Sequence, residues 1–427
     1  GAEGKAADDA VTAADELTLM QILRSKHKVR SFAFSSQTKK GVECTCALAL
    51  HNNTVEVWEV DAAESREVSV VDLPGHRHDV RALCLSSDDT MLLSCSHTAV
   101  KVWNPRNGAC LRTMESGYGL CCMFVPGNRQ CIVGTKSGTI ECFDIGSASR
   151  YHVEEDAHAG HAVWSLAALK DESGFVSGSA DQSVKFWEWE LGEDEEGVQR
   201  LYIKHTRTLK MAEDVLCVNL NPRGKILATA LLDSTIKVFF TDSLKFFLSL
   251  YGHKLPVLCM DISSDGSLLA SGSADKNIKI WGLDFGDCHK SIFAHNDSVM
   301  QVKFVRKTHY LFSVGKDKVV KYWDCDKFEP LLTLEGHKAE VWALTVSHYG
   351  DFIVTGSHDR SIRRWERTEE PFFIEEEQER RLESMFEEGI DNAGPQDEVP
   401  EEGASGAAGR RNMETLSAAD SLSEAME

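Results

Sequence analysis

Hydrophobic positions along this chain come in short runs separated by polar turns. The clearest stretch holds three runs, LCMDIS from Leu258, LLASGS from Leu268 and IKIW ending at Trp281. Each alternates apolar and polar residues or is continuously β-type, and SSDG and ADKN between them are hairpin turn chemistry. A fourth run follows the closing aromatic, as FEPLLTL follows Trp323. An aromatic closes the third run of every unit, at Trp58, Trp103, Phe143, Trp187, Phe239, Trp281, Trp323 and Trp365, with intervals of 45, 40, 44, 52, 42, 42 and 42 residues. Four short strands in a unit of this length, repeated, predict sheets arranged radially around an axis. The expected fold is all-β, a β-propeller of eight blades, with seven plus an irregular first unit as the alternative.

Only the ends depart from this pattern. DELTLMQILRSK, before the first unit, spaces Leu17, Met20, Ile22 and Leu23 as a helix would. After the last unit, Pro371-Phe372-Phe373-Ile374 offers a fourth strand, and EEEQERRLESMFEEGI suits an acidic helix with Leu382, Met385 and Phe386 on one side. The division expected is a flexible acidic N-terminus over 1–19, the propeller over 20–374, an acidic helix over 375–390 and a disordered tail over 391–427. The insert GEDEEG at 192–197, which lengthens one interval to 52, reads as a solvent loop, or as a dock for a basic segment.

Composition sharpens this picture. The chain of 427 residues is 42% hydrophobic and 26% charged, enough for a large core. No stretch approaches the 18 or so apolar residues of a membrane-spanning helix, and the first residues lack the basic and apolar regions of a secretory signal. The formal charge of −21 sits in the ends: −4 in residues 1–19, −12 in 366–402 and −2 in 403–427, leaving −3 for the body. Such a body lacks the basic stripe that phosphate backbones select, which favours protein contacts over direct RNA contact. Local patches, Lys316-Asp317-Lys318 and Arg360-Ser361-Ile362-Arg363-Arg364, keep the RNA alternative open. The 13 cysteines form no CxxC pair and no zinc spacing, so they read as free thiols of a reducing compartment.

Sixteen histidines invite an enzyme reading, and the repeat removes it. Five of them, His76, His158, His253, His295 and His337, recur at one position of the unit. Ser357-His358-Asp359 are neighbours in a tight turn and cannot line up as nucleophile, base and orienter. Gly134-Thr135-Lys136-Ser137 lacks the earlier glycine and the following helix of a phosphate loop. No catalytic, cofactor or metal site is expected.

The Gly-His pairs Gly252-His253 and Gly336-His337, with the closing tryptophans, resemble the WD-repeat family. That resemblance implies a structural tetrad in each regular blade. The matching residues are His253, Ser271, Asp275 and Trp281; His295, Ser313, Asp317 and Trp323; His337, Thr355, Asp359 and Trp365; and His158, Ser177, Asp181 and Trp187. In each, Asp accepts from the imidazole, the imidazole meets the hydroxyl, and the hydroxyl meets the indole N–H, so four polar groups are paired within one blade. Phe239 and Met211, Phe143 and Ser137, and His97 or Thr98 in place of Asp mark three units whose tetrads are incomplete; the first unit lacks the Gly-His pair and has Asn52 for Asp. The residues after the repeat histidine, together with Trp164 and Trp342, are the candidate partner-contact rim: Arg77, His78, Lys254, Asn296 and Lys338. The alternative for both tryptophans is packing between blades.

Longer segments carry a more specific resemblance. DSLKFFLSLYGHKLPVLCMDIS, SADKNIKIWGLDFGDCHKSIFAHNDSVM, SADQSVKFWEWEL, EDVLCVNLNP, LCCMFVPGNRQCIVGTKSGTI and RSIRRWERTEEPFFIEEEQE resemble the second propeller of the tandem-propeller WD-repeat subunits of the UtpB subcomplex, over about residues 20–385. This implies a non-catalytic scaffold in the nucleolar small-subunit processome, acting in ribosome biogenesis and pre-18S rRNA processing. The implied partners are other WD-repeat subunits and the pre-ribosomal ribonucleoprotein, with small nucleolar RNA reached indirectly; no membrane and no small-molecule substrate are implied. The family's first propeller and helical C-terminal domain are not found in this sequence. The competing reading is a WD-repeat peptide receptor or adaptor in a ligase or signalling complex.

Overall fold

A computed structural model of the chain describes residues 22–368 except 24, 26–27, 36–43, 52–53, 61–64, 73–74 and 194–198. The proposed N-terminal helix lies mostly outside these residues. The acidic N-terminus, the fourth-strand candidate at 371–374, the acidic helix and the tail lie outside them entirely.

Every regular element among the described residues is a strand, and the strands form eight antiparallel sheets in sequence order. The sheet from Val257 shows why the sequence folds this way. Its strands are Val257–Ile262, Leu268–Ser273, Asn277–Gly282 and Cys288–Phe293. The first hairpin is closed by Ser263-Ser264-Asp265-Gly266, where the Ser263 hydroxyl donates to Asp265 at 2.5 Å and Gly266 takes φ +78°. Leu268, Leu269 and Ala270 are buried because a neighbouring sheet covers each face of the second strand.

Seven of the eight sheets form a closed ring. Number the blades by their innermost strands: Ala82–Leu85 is blade 1, Gly119–Phe124 blade 2, Val163–Ala168 blade 3, Val215–Leu220 blade 4, Val257–Ile262 blade 5, Val299–Phe304 blade 6 and Val341–Val346 blade 7. Hydrophobic clusters straddle each successive pair, as Ala270, Ile278 and Ile280 of blade 5 do with Val299, Val302 and Trp323 of blade 6. The last such cluster joins Ala343 and Val354 of blade 7 to Val80, Leu83 and Leu92 of blade 1. There the Val80 N–H donates to the Ser357 carbonyl at 3.3 Å, and a Cβ on Gly356 would come within 2.7 Å of Val80. Blade 7 has three strands among the described residues, ending with Ile362–Glu366.

The eighth sheet is the first unit, Val29–Phe34, Cys44–Leu50, Thr54–Val60 and Ser65–Asp72. It is strand-built, as its alternation predicts, but it is not a blade of this ring. Its own small core is Cys46, Leu48 and Leu50 with Leu23, Trp58 and Val60. Eight sheets therefore correspond to a seven-bladed ring plus one, the alternative count. Alternation specifies a sheet, whereas ring membership is decided by which faces meet, and blade 7 meets blade 1.

The insert in blade 3 also differs from the expected loop. Strands Ser183–Glu193 and Gln199–Lys210 pair from Ser183↔Lys210 out to Glu193↔Gln199. Gly192 and Glu193 thus belong to a long hairpin, and only 194–198 lie outside the description. Val184, Phe186 and Trp187 anchor its base, while alternate cross-strand pairs such as Glu190↔Tyr202 sustain it outward.

Candidate interaction surface

The tetrad residues are brought together in four blades. In blade 5 the His253 Nδ1–H donates to Asp275 at 2.9 Å, the Ser271 hydroxyl meets His253 Nε2 at 2.8 Å, and the Trp281 Nε1–H donates to Ser271 Oγ at 2.8 Å. In blade 6 the corresponding distances are 2.9, 2.8 and 2.8 Å through His295, Asp317, Ser313 and Trp323. In blade 3 they are 2.8, 2.7 and 2.8 Å through His158, Asp181, Ser177 and Trp187. Blade 7 is looser at its acid, with 3.4 Å from His337 to Asp359, 2.7 Å from His337 to Thr355 and 3.0 Å from Trp365 to Thr355. The hydroxyl and imidazole are buried in each.

These carboxylates are tuned to stay ionised. Burial pushes Asp181 upward, but hydrogen bonds from His158 and Ser183 outweigh it and bring its pKa down to about 2. Asp275, Asp317 and Asp359 are lowered by the same balance. Blade 1 keeps only part of the arrangement. His76 Nε2 lies 2.5 Å from Ser94 Oγ and the Trp103 Nε1–H donates to that oxygen at 2.7 Å, but His76 Nδ1 is buried without a partner among the described residues. Burial first, and then the Lys101 charge, lower the His76 pKa to about 3. Such a group stays uncharged near neutral pH.

Tetrads and rim share atoms in a way the sequence did not reveal. The residues after the repeat histidine, Lys254, Asn296 and Lys338, donate their backbone N–H groups to Asp275, Asp317 and Asp359 at 3.1, 3.0 and 3.0 Å. Their side chains are exposed at the same end of the ring. Arg77 is engaged differently: its guanidinium donates to the His51 carbonyl, tying the first sheet to blade 1. His78 is half-buried, 5.1 Å ring to ring from His97.

The channel mouth at this end is organised by a repeated backbone irregularity. Inner-strand pairing skips one residue at Leu120, Trp164, Leu216, Leu258, Met300 and Trp342. A β-bulge leaves its extra residue out of the ladder and re-aims the side chain. None of the six is buried, and Trp164 is 42% exposed. The seventh member of this ring is Arg81, at the entry to blade 1. Its guanidinium lies 3.9 Å from the centroid of the Trp342 ring and 5.6 Å from that of Tyr118. The two tryptophans therefore stand at the mouth. Regular alternation suggests inter-blade packing for both, and the bulge overrides it. Arg81 and Tyr118 escaped the sequence reading, which met Lys136 only in an incomplete phosphate loop and Lys316 only in a local basic patch. Their signal was available in register, since Arg81 stands one place after Val80 as Trp342 stands one place after Val341.

No group of three or more His, Cys, Asp or Glu side chains among the described residues is placed to hold a metal ion. Two shallow clefts, of about 510 and 470 Å³, lie between blades 5 and 6 and share His309 and Asp326. There His309 joins Asp326 at 2.7 Å and Asp265 at 3.2 Å, bridging neighbouring blades.

Comparison with known proteins matches the ring. The family described as "WDR3 second beta-propeller domain" matches residues 79–372. WD repeat-containing protein 3 of Homo sapiens is 48% identical over 248 residues, covering 57% of this chain and 26% of that protein. Its homolog in Dictyostelium discoideum is 46% identical over 254 residues, 58% of this chain and 26% of that protein. U3 small nucleolar RNA-associated protein 12 of Saccharomyces cerevisiae is 43% identical over 250 residues, 56% of this chain and 26% of that protein. The chain thus matches about a quarter of the length of these curated relatives.

Proposed function

Because this chain belongs to the family of the WDR3 second β-propeller domain, we propose that it is a non-catalytic interaction scaffold in small-subunit ribosome assembly. It acts in the nucleolus, in the processing of pre-18S rRNA, beside other WD-repeat subunits of the small-subunit processome. The observation that carries this reading is the 43% identity over 250 residues to a U3 small nucleolar RNA-associated protein. The geometry agrees with it. Four of the five recurring histidines are committed to tetrads inside the blades, and the rim and mouth offer side chains to macromolecules. Small nucleolar RNA is reached indirectly, through protein partners, because the ring's body is nearly neutral.

Affinity purification of the tagged chain tests the assignment. Recovery of processome propeller subunits together with U3 small nucleolar RNA is the expected result. Stoichiometric recovery of a ubiquitin-ligase or receptor complex without that RNA would replace it with the adaptor reading.

A further inference from the structure

Cations and aromatic rings converge at the mouth where the ring closes. Arg81 stacks on Trp342 at 3.9 Å and also faces Tyr118. Lys316 Nζ stands 5.4 Å from the Trp342 centroid, and Lys136 Nζ stands 5.5 Å from that of Tyr118. Among the described residues the Lys136 and Lys316 ammonium groups meet aromatic rings and no hydrogen-bond acceptor, and the Trp342 Nε1–H is buried without one. Among the described residues the carboxylate paired with this group is Asp79, 2.5 Å from Arg81 Nε and also 3.8 Å from His358. Donors therefore outnumber acceptors, in a place bordered by the apolar bulge residues Leu120 and Met300.

We propose that this part of the mouth binds an acidic peptide segment of a partner protein, one carrying carboxylates among apolar side chains. The carboxylates take the unsatisfied donors of Lys136 and Lys316 and extend the Arg81–Asp79 pair, while the apolar side chains cover the bulge residues. A carboxylate supplies two acceptor oxygens with strong directionality toward guanidinium and ammonium groups. Stacking already occupies one face of Tyr118 and of Trp342 with cations, so the mouth presents charge rather than bare aromatic platforms. Single-stranded nucleic acid requires those platforms for its bases, and the acidic peptide is the better fit. This deepens the scaffold reading and rests on it for the existence of a protein partner; the choice of particle does not enter the measurement below.

Fluorescence anisotropy of a labelled dodecapeptide of alternating Glu and Leu against the full chain is the test. The Glu–Leu peptide binds, and the matched Gln–Leu and Lys–Leu peptides bind at least about tenfold more weakly, the factor expected for one lost charge-assisted hydrogen bond. Arg81→Gln and Lys136→Gln each weaken the Glu–Leu peptide by a similar factor, while Lys204→Gln, on the outer hairpin, changes nothing. Lys136 is exposed, so its variant reports binding even if the Arg81 variant unfolds. Equal affinity for the Glu–Leu and Gln–Leu peptides overturns the proposal. So does tighter binding of a uridine dodecamer than of the Glu–Leu peptide. Failure here alongside recovery of processome subunits by the tagged chain would sink the mouth and leave the scaffold standing.

Discussion

Blade 1 should lose stability on mild acidification in a way that one substitution removes. His76 is 5% exposed, lacks the carboxylate that steadies its counterparts, and titrates near 3 instead of its ordinary 6.5. Its folded-state pKa is depressed, so above the unfolded value both states are neutral and no penalty exists. As pH falls through 6.5 the unfolded chain takes up a proton that the folded chain refuses, and stability declines until about pH 3. At pH 5 the loss relative to neutral pH is about 2 kcal/mol by linkage. His76→Gln keeps an amide nitrogen near Ser94 Oγ and cannot titrate. Burial also lowers His253 and His337 against the pull of their aspartates, but those terms are common to both proteins and cancel in the difference. Urea unfolding of wild type and variant, at neutral pH and at pH 5, reads the effect. Hydrogen exchange across Leu92–Trp103 supplies the local readout. The variant is expected to be less stable at neutral pH and to lose about 2 kcal/mol less on acidification. Equal losses in the two proteins would refute the argument that His76 is buried, neutral and unassisted.

Two other substitutions probe the frame. Ser313→Ala removes the oxygen that accepts from Trp323 and meets His295, leaving two buried polar groups unpaired; the expected cost is about 2–4 kcal/mol by chemical denaturation, with Ser313→Thr costing less than half of it because blade 7 fills the same role with Thr355. Gly356→Ala drives a methyl group to 2.7 Å from Val80 at the junction of blades 7 and 1; thermal unfolding should show about 1–3 kcal/mol of destabilisation, and a neutral result would mean that these blades do not meet.

Strand content was legible because it is a local property. Apolar alternation, hairpin turns and the closing aromatics belong to single segments, and all eight units appear as sheets. Closure was not legible, because it depends on which faces are covered. Cys46, Leu48 and Leu50 alternate as faithfully as the strands of any ring blade, yet they pack on Trp58 of their own sheet and on Leu23 just before it. The mouth was half legible for a related reason. Trp164 and Trp342 stood out as residue types, but a period of two assigns them to a blade face, and one skipped residue in the ladder moves them to the rim. The long blade 3 hairpin hid behind acidic composition, since GEDEEG reads as loop although Gly192 and Glu193 pair with Arg200 and Gln199.

The polarity of the mouth follows from the tetrads themselves. Asp181, Asp275, Asp317 and Asp359 lie toward the rim end, but each directs its carboxylate inward to an imidazole, and all four side chains are at most 13% exposed. Three of them also take a backbone N–H from the residue after the histidine. Their oxygens are thereby committed to partners within the blade and are not offered at the rim. Blades 1 and 2 lack that acid, having His97 or Thr98 and Ser137 in its place. These are the blades that carry Arg81, Tyr118 and Lys136. A repeat that decays at its structural position is thus released from placing a carboxylate there, and the cations beside it meet no counter-charge from the tetrad. The irregular blades are the place where this ring can differ from its own repeats, and the stacked guanidinium at the mouth stands on one of them.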